Sequence, residues 1–122
     1  MELKLTPRFL QNGQRFFGPG VAELLERVRE HRSLRAAAAS MEMAYSKAWR
    51  IIHEAEEGFG FRLLDSTIGG SGGGGAELTD EARQIMAAYE TYCARLDEYG
   101  QALFGELFPF CARENHIDST RK

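Results

Sequence analysis

Three features of the sequence predict a mainly α fold with a small β component. It is arranged as a winged helix-turn-helix followed by a long C-terminal helix. The alanine-rich segment LRAAAAS is followed within a few residues by a longer amphipathic segment, YSKAWRIIHEAEEG. Six glycines occupy the seven positions 69–75, between two short segments with strand character. Residues 80–108 carry apolar side chains at heptad spacing, which indicates a helix that packs against another helix.

The size and charge of the chain favour one small domain. It has 122 residues, of which 43% are hydrophobic and 27% charged, so it can bury one modest core. The formal net charge of -3 argues against coating nucleic acid by bulk charge, although local patches can still bind it. The first residues lack the apolar core of a signal peptide, and no apolar run is long enough for a membrane span. We therefore expect a soluble, cytoplasmic protein.

The N-terminal part predicts a hairpin and an amphipathic helix. LKLTPRFL and RFF have strand character and flank Asn12-Gly13, a pair that tolerates positive φ. Pro7 restricts the first strand to an edge. A helix follows from Pro19, because apolar residues recur at i, i+3, i+4 and i+7, namely Val21, Leu24, Leu25 and Val28.

The next two segments predict a helix-turn-helix. Ser33 is a good N-cap for a short helix over 34–41, whose alanines favour helix and let a second helix approach closely. After a turn of about three residues a longer helix begins near Ala44 and ends at Gly58 or Gly60. Its expected buried residues are Ala48, Ile51, Ile52 and Ala55.

The glycine run has three possible interpretations: a flexible linker, a phosphate-binding loop or the tip of a hairpin. Phe61–Asp65 and Ala76–Thr79 flank it as two short predicted strands. A linker would separate two independently folded units, but the sequence beyond Thr79 does not have the pattern of a second domain. The linker interpretation is therefore disfavoured. A phosphate-binding P-loop would be followed by Lys-Ser/Thr, which this run lacks. We therefore predict a hairpin, which after a helix-turn-helix forms a wing.

Thr79 is a predicted N-cap for the long helix, with Asp80 and Glu81 favourable in its first turn. Gly100 and Gly105 are expected to weaken its end. The heptad positions, which predict a dimer interface, are Ala82, Ile85, Tyr89, Tyr92, Leu96, Tyr99 and Leu103. The predicted organisation is a DNA-binding domain over 1–79, a dimerisation helix over 80–108 and a disordered tail over 109–122.

Charge is distributed unevenly between the helices. Residues 31–53 contain four basic residues and one acidic residue, whereas the long helix has six acidic residues and two basic ones. Lys47 and Arg50, at i and i+3 near the start of the longer helix, share a face that can donate to guanine or phosphate. The alternative is that they belong to an ordinary solvated face. Trp49 is expected to pack between helices. The candidate DNA-binding residues are Arg35, Ala44, Tyr45, Ser46, Lys47, Arg50, Gly70, Ser71, Gly72 and Gly73.

No catalytic, metal or cofactor site is predicted. Cys93 and Cys111 have neither metal-ligand nor disulfide-framework spacing, and the histidines are scattered. The glutamates at 54, 56 and 57 have no identifiable nucleophile or base beside them. We expect a protein that is not an enzyme.

These residues resemble the N-terminal DNA-binding domain of the ModE family of bacterial molybdenum-responsive regulators, a winged helix-turn-helix related to that of LysR-type regulators. The motifs are FGPGVAELLERV, LRAAAASMEMAYSKAW and the wing IGGSGGGGAELT. The resemblance implies that the long helix dimerises. Ala44, Ser46 and Ser71 depart from the family pattern, which implies weaker phosphate attraction or a different operator. Family members that sense molybdate do so in C-terminal domains, which this chain lacks, so we expect it not to bind molybdate.

The predicted function is a dimeric transcription regulator that reads a palindromic operator in double-stranded DNA, with a separate effector-sensing protein as a possible partner. The alternative is a protein-protein interaction module of the same fold without sequence-specific DNA binding.

Overall fold

The computed structural model describes residues 1–67 and 75–112. The chain divides into two compact units, residues 7–88 and residues 1–6 together with those from Tyr89 onward, and the boundary lies inside the long helix. The elements are β1 (Phe9–Gln11), β2 (Gln14–Phe17), α1 (Pro19–His31), α2 (Leu34–Ser40), α3 (Tyr45–Phe59), β3 (Leu64–Thr67), β4 (Gly75–Leu78), α4 (Asp80–Leu107) and α5 (Pro109–Ala112). The predicted fold class is confirmed.

β1 and β2 form the predicted antiparallel hairpin. Asn12 and Gly13 both have positive φ, 54° and 79°, as a tight two-residue hairpin turn requires. The first strand begins at Phe9, later than the predicted start at Leu3, because Pro7 has no N–H for the ladder and residues 1–6 belong to the other unit. The ring of Phe9 packs against those of Phe17 and Phe59, with centroids 5.7 and 5.1 Å apart. These contacts attach the hairpin to the end of α3.

Helices α1, α2 and α3 form the core of unit 7–88. Leu24, Leu25 and Val28 are fully buried on α1, as the spacing predicted. Ser33 caps α2 by accepting a hydrogen bond from Ala36 N at 3.0 Å, so this predicted cap is confirmed. The guanidinium of Arg27 donates to Ser40 O at 3.0 Å and ties the end of α2 to α1.

Small side chains lie where α2 and α3 are buried. The buried residues of these two helices are Leu34, Ala37, Ala38, Ala48, Ile52 and Ala55. Alanines at these positions let the backbones approach closely. Four residues connect the two helices, and Gly60 ends α3 in the left-handed conformation, φ 85°. The helix-turn-helix is thus present at the predicted place.

β3 and β4 pair in antiparallel register, from Leu64 opposite Leu78 to Thr67 opposite Gly75. β3 begins three residues later than the predicted strand over Phe61–Asp65. The reason is a tertiary contact: Leu63 N and Leu64 N donate to Glu56 Oε2 at 2.8 and 3.3 Å, so the preceding residues form the connection to α3. The predicted wing tip, including Gly70, Ser71, Gly72 and Gly73, lies outside the described residues.

Thr79 begins α4 as predicted. Its Oγ1 accepts a hydrogen bond from Ala82 N at 3.0 Å and donates to Arg62 O at 2.7 Å. The helix continues through Gly100 and Gly105 to Leu107, so these glycines do not interrupt it. The helical turn α5 begins at Pro109, where we predicted a disordered tail, and residues 113–122 lie outside the described residues.

In the second unit, residues 1–6 lie along the C-terminal half of α4. Gln101 Nε2 donates to Leu3 O at 2.9 Å. A Cβ at Gly100 would lie 2.6 Å from Leu5 Cδ1, so the absence of a side chain there admits the leucine. Within the described residues, the structure contains no helix that is both long and apolar enough to cross a membrane.

Candidate nucleic-acid interface

The N-terminal half of α3 exposes four of the ten residues predicted to contact DNA. Ala48 and Ile52 are buried in the core and Ile51 is half-buried, so the solvent-facing side of this half of α3 is formed by other residues. Tyr45, Ser46, Lys47 and Arg50 are all exposed. The structure therefore places two cations, a hydroxyl and a phenol ring on one accessible stretch of about a turn and a half.

Arg35 joins this surface from α2. Its guanidinium carbon lies 4.1 Å from the centroid of the Tyr45 ring, which is a cation–π contact between the starts of the two helices. Both residues are exposed. Ala44 is the N-cap of α3 in extended conformation and supplies no side-chain cap. The predicted set from Arg35 to Arg50 is thus brought together, although its members come from two helices.

Trp49 corrects one prediction. We expected it to pack between helices, but 49% of its surface is exposed and it stacks on His53, with ring centroids 4.4 Å apart. Ala48 occupies the buried position, and the next residue of a helix points about 100° away from it. Sequence reasoning missed both Trp49 and His53 as candidates for this surface. The available signal was the spacing, since Trp49 follows Tyr45 by four residues and His53 follows Trp49 by four. Residues at i, i+4 and i+8 lie along one side of a helix.

A depression of about 580 Å³ separates this side of α3 from the base of the β3–β4 hairpin. Ser33 and Arg35 line it from α2, and Asp65, Ser66 and Ala76 line it from the hairpin. Tyr45, Trp49 and His53 form its α3 wall. The exposed helix and the hairpin therefore flank a shared groove within unit 7–88.

The acidic and histidine side chains of α3 make local contacts. Besides accepting hydrogen bonds from Leu63 N and Leu64 N, Glu56 places Oε1 3.9 Å from Nδ1 of His53. Within 1–67 and 75–112, no three His, Cys, Asp or Glu residues are arranged to hold a metal ion.

A short helix, a tight turn and a helix whose exposed N-terminal half is basic, followed by an antiparallel hairpin, define a winged helix-turn-helix protein of the DNA-binding class. The comparison with protein families agrees: residues 21–83 match the bacterial regulatory helix-turn-helix proteins of the lysR family. The chain therefore belongs to this family of bacterial regulatory helix-turn-helix proteins.

The chain is also similar to a curated relative, the molybdenum transport protein ModE of Herbaspirillum seropedicae. The two are 33% identical over 88 residues, which are 72% of this chain and 30% of the relative. The matched segment thus spans about a third of that protein's length. The resemblance to the N-terminal domain of the ModE family is confirmed.

Proposed function

We propose that this regulator acts as a dimer that reads a palindromic operator through α3. The observation that carries the proposal is the exposure of Tyr45, Ser46, Lys47 and Arg50 on the first turns of α3. In helix-turn-helix proteins these turns of the second helix enter the major groove. The core fixes the orientation of α3, because Ala48, Ile52 and Ala55 are buried on its opposite side.

The chemistry of the exposed side chains assigns their roles. Arg50 and Lys47 donate to guanine O6 and N7 or to phosphate, and the hydroxyl of Ser46 bonds either. Arg35 lies in the first turn of α2 and, held over Tyr45, contacts the phosphate backbone next to the groove. Base discrimination thus rests mainly on Arg50 and Ser46, Lys47 can contact either a base or a phosphate, and positioning rests on Arg35.

The β3–β4 hairpin acts as the wing. Its strands pair up to Thr67 and Gly75, and the glycine-rich segment of the sequence joins these two residues. Glycines at a wing tip remove the side chains that would keep the backbone from DNA. In this proposal Gly70, Ser71, Gly72 and Gly73 contact the sugar-phosphate backbone or the adjacent minor groove.

The exposed seam of α4 is the proposed interface with a second copy of the chain. Tyr92, Tyr99 and Leu103 expose 61%, 76% and 52% of their surfaces, whereas Ile85, Tyr89 and Leu96 are half-buried. Ala82 is removed from this set, since it is fully buried within its own chain. The remaining residues keep heptad spacing, as a coiled-coil seam requires. A two-fold axis through this seam would set the distance between the two half-sites.

Fluorescence-anisotropy titration of genomic DNA fragments tests the proposal at two salt concentrations. We expect wild type to bind a few fragments in a salt-sensitive manner and Lys47→Ala/Arg50→Ala to lose this binding. The matched control is Lys4→Ala/Arg29→Ala, which removes the same two charges at exposed positions outside α3 and should keep selective binding. Absence of binding by wild type, or equal losses in both double variants, would contradict the proposal.

A further inference from the structure

We infer that Arg8 and Arg15, together with Lys47, form a second contact with the DNA phosphate backbone on the side of α3 away from the wing. The inference deepens the proposed function and rests on it. We call this surface the hairpin groove, because the β1–β2 hairpin forms one wall of it.

The hairpin groove is a depression of about 330 Å³ between β2, the first turn of α1 and α3. Phe17 and Ile51 contribute to its apolar lining. Arg8, Arg15 and Lys47 line it from three different segments of the chain, and all three are exposed. Among the described residues that line it, Glu54 carries the only carboxylate. Positive charge therefore dominates the groove.

The fold brings these cations to one place. Arg15 is opposite Leu10 in the β1–β2 register, so the hairpin fixes its position along the strand. The stem of Arg8 passes over the backbone of Gly18, where an added Cβ would lie 3.1 Å from Arg8 Cγ. The absence of a side chain at Gly18 thus permits the close approach of Arg8. Residues distant in sequence are assembled on the flank of α3 that carries Lys47.

The position of the groove indicates its partner. The two sides of α3 line two different depressions: Tyr45, Trp49 and His53 face the wing side, and Lys47, Ile51 and Glu54 face the hairpin groove. A helix in a major groove about 12 Å wide has a phosphate backbone on each side of it. Arg35 is the proposed contact with the phosphate backbone on one side of α3. The positive charge of the hairpin groove is complementary to the phosphate backbone on the other side. Duplex DNA is therefore the occupant that fits this surface best.

Loss of a phosphate contact lowers the affinity for every duplex, whereas loss of a base contact lowers the preference for the operator. The experiment separates the two kinds of contact by this difference. Arg8→Gln/Arg15→Gln should lower the affinity for the operator and for an unrelated duplex by the same factor, on the order of tenfold at low salt. The slope of log K against log salt should become shallower by about 0.9 for each lost contact. Lys47→Ala/Arg50→Ala should instead reduce the ratio of specific to non-specific affinity, because it removes proposed base contacts as well.

Matched variants keep the test independent of folding. Lys4→Gln/Arg29→Gln removes two exposed positive charges elsewhere and should leave both affinities within about twofold of wild type. Arg8→Lys/Arg15→Lys keeps the charge and should restore most of the affinity and the slope. Arg15→Gln alone leaves the Arg8 stem on Gly18 intact. It should change the slope of log K against log salt by about half as much as the double variant does, and this change cannot arise from a disturbed Gly18 contact.

The outcomes separate this inference from the proposed function. If wild type binds its operator and loses selectivity in Lys47→Ala/Arg50→Ala, but Arg8→Gln/Arg15→Gln keeps the wild-type affinity and slope, the hairpin groove is not a DNA contact and the proposed function stands. If wild type binds no duplex, both fail. Loss of affinity in Arg8→Gln/Arg15→Gln that the lysine variant does not restore would also overturn the inference.

Discussion

The indole of Trp49 stacks on the imidazole of His53, with ring planes inclined by only 16° and centroids 4.4 Å apart. Tyr45 precedes Trp49 by four residues on the same helix, and all three rings line the groove beside the wing. An aromatic row thus extends along the exposed side of α3, next to the cations at Lys47 and Arg50. A half-exposed tryptophan in this position offers apolar surface for thymine methyl groups and sugars.

Replacing Trp49 tests whether this row touches DNA. Trp49→Ala should weaken operator binding by on the order of tenfold, as loss of one good apolar base contact would. Stability should change little, because the indole is half-exposed and leaves no large core cavity. Trp49→Phe keeps an aromatic ring and should retain most of the affinity. Anisotropy titrations of the three proteins on one operator measure the effect, and equal affinities would contradict it.

Trp49 is also the only tryptophan of the chain. Its emission therefore reports directly on the surface of α3. We expect operator DNA to change the intensity of wild-type emission with the same midpoint as the anisotropy titration. A titration that saturates by anisotropy without any change in emission would place DNA away from this side of α3.

Features encoded by neighbouring residues were predictable from the sequence. Ser33 and Thr79 cap the helices they precede, and Asn12-Gly13 makes the predicted turn, because each interaction spans three or four residues. The exposure of Lys47 and Arg50 followed from the helical period. The candidate nucleic-acid interface was therefore largely predictable where it lies on α3.

Features that depend on distant residues were not predictable. The start of β3 is set by Glu56, and the burial of Ala82 depends on how α4 begins against its own unit. The hairpin groove joins Arg8 to Lys47, which are separated by about half of residues 1–79. Periodicity identifies the face of one helix, but it contains no information about which other element lies beside that face.

Glu56 fixes the connection between α3 and the wing, since its Oε2 accepts hydrogen bonds from both Leu63 N and Leu64 N. Glu56→Ala leaves two partly buried N–H groups without this acceptor and should lower the free energy of unfolding by about 1–3 kcal/mol. Glu56→Gln retains an acceptor oxygen and should lower the free energy of unfolding by less. Urea denaturation of both variants and wild type measures the difference. A Glu56→Ala variant as stable as wild type would show that these hydrogen bonds are not what holds β3.

Gly58 has a packing role on α3. A Cβ at this position would overlap the ring of Phe16, which packs edge-on against Phe59 and tilted against Phe9 in an aromatic cluster. Alanine is the better helix former by up to about 1 kcal/mol, yet displacing a packed ring typically costs about 1–3 kcal/mol. We therefore expect Gly58→Ala to lower the midpoint of thermal unfolding.

Gly105→Ala is the matched control for this glycine. Gly105 lies inside α4, and a Cβ added there would meet no atom within 4 Å, so the gain in helix propensity should raise or preserve stability. Thermal unfolding followed by circular dichroism gives both midpoints. A rise in midpoint for Gly58→Ala would mean that Phe16 moves at little cost and that the cluster does not require glycine.

The exposed seam of α4 predicts the oligomeric state. Tyr99 and Leu103 lie at successive heptad positions and expose most of their surfaces, so Tyr99→Lys/Leu103→Lys would place like charges across a two-fold interface.

Light scattering after gel filtration should give wild type a mass of about twice the 13.7 kDa of one chain, and the variant the mass of a single chain. Ala94→Lys adds charge at an exposed position outside the seam and should stay dimeric. Because the proposed dimer would bind two half-sites together, the monomeric variant should also bind a palindromic operator far more weakly while keeping its affinity for an isolated half-site. A monomeric wild type at tens of micromolar, or a control that dissociates as readily as the seam variant, would remove α4 as the dimer interface.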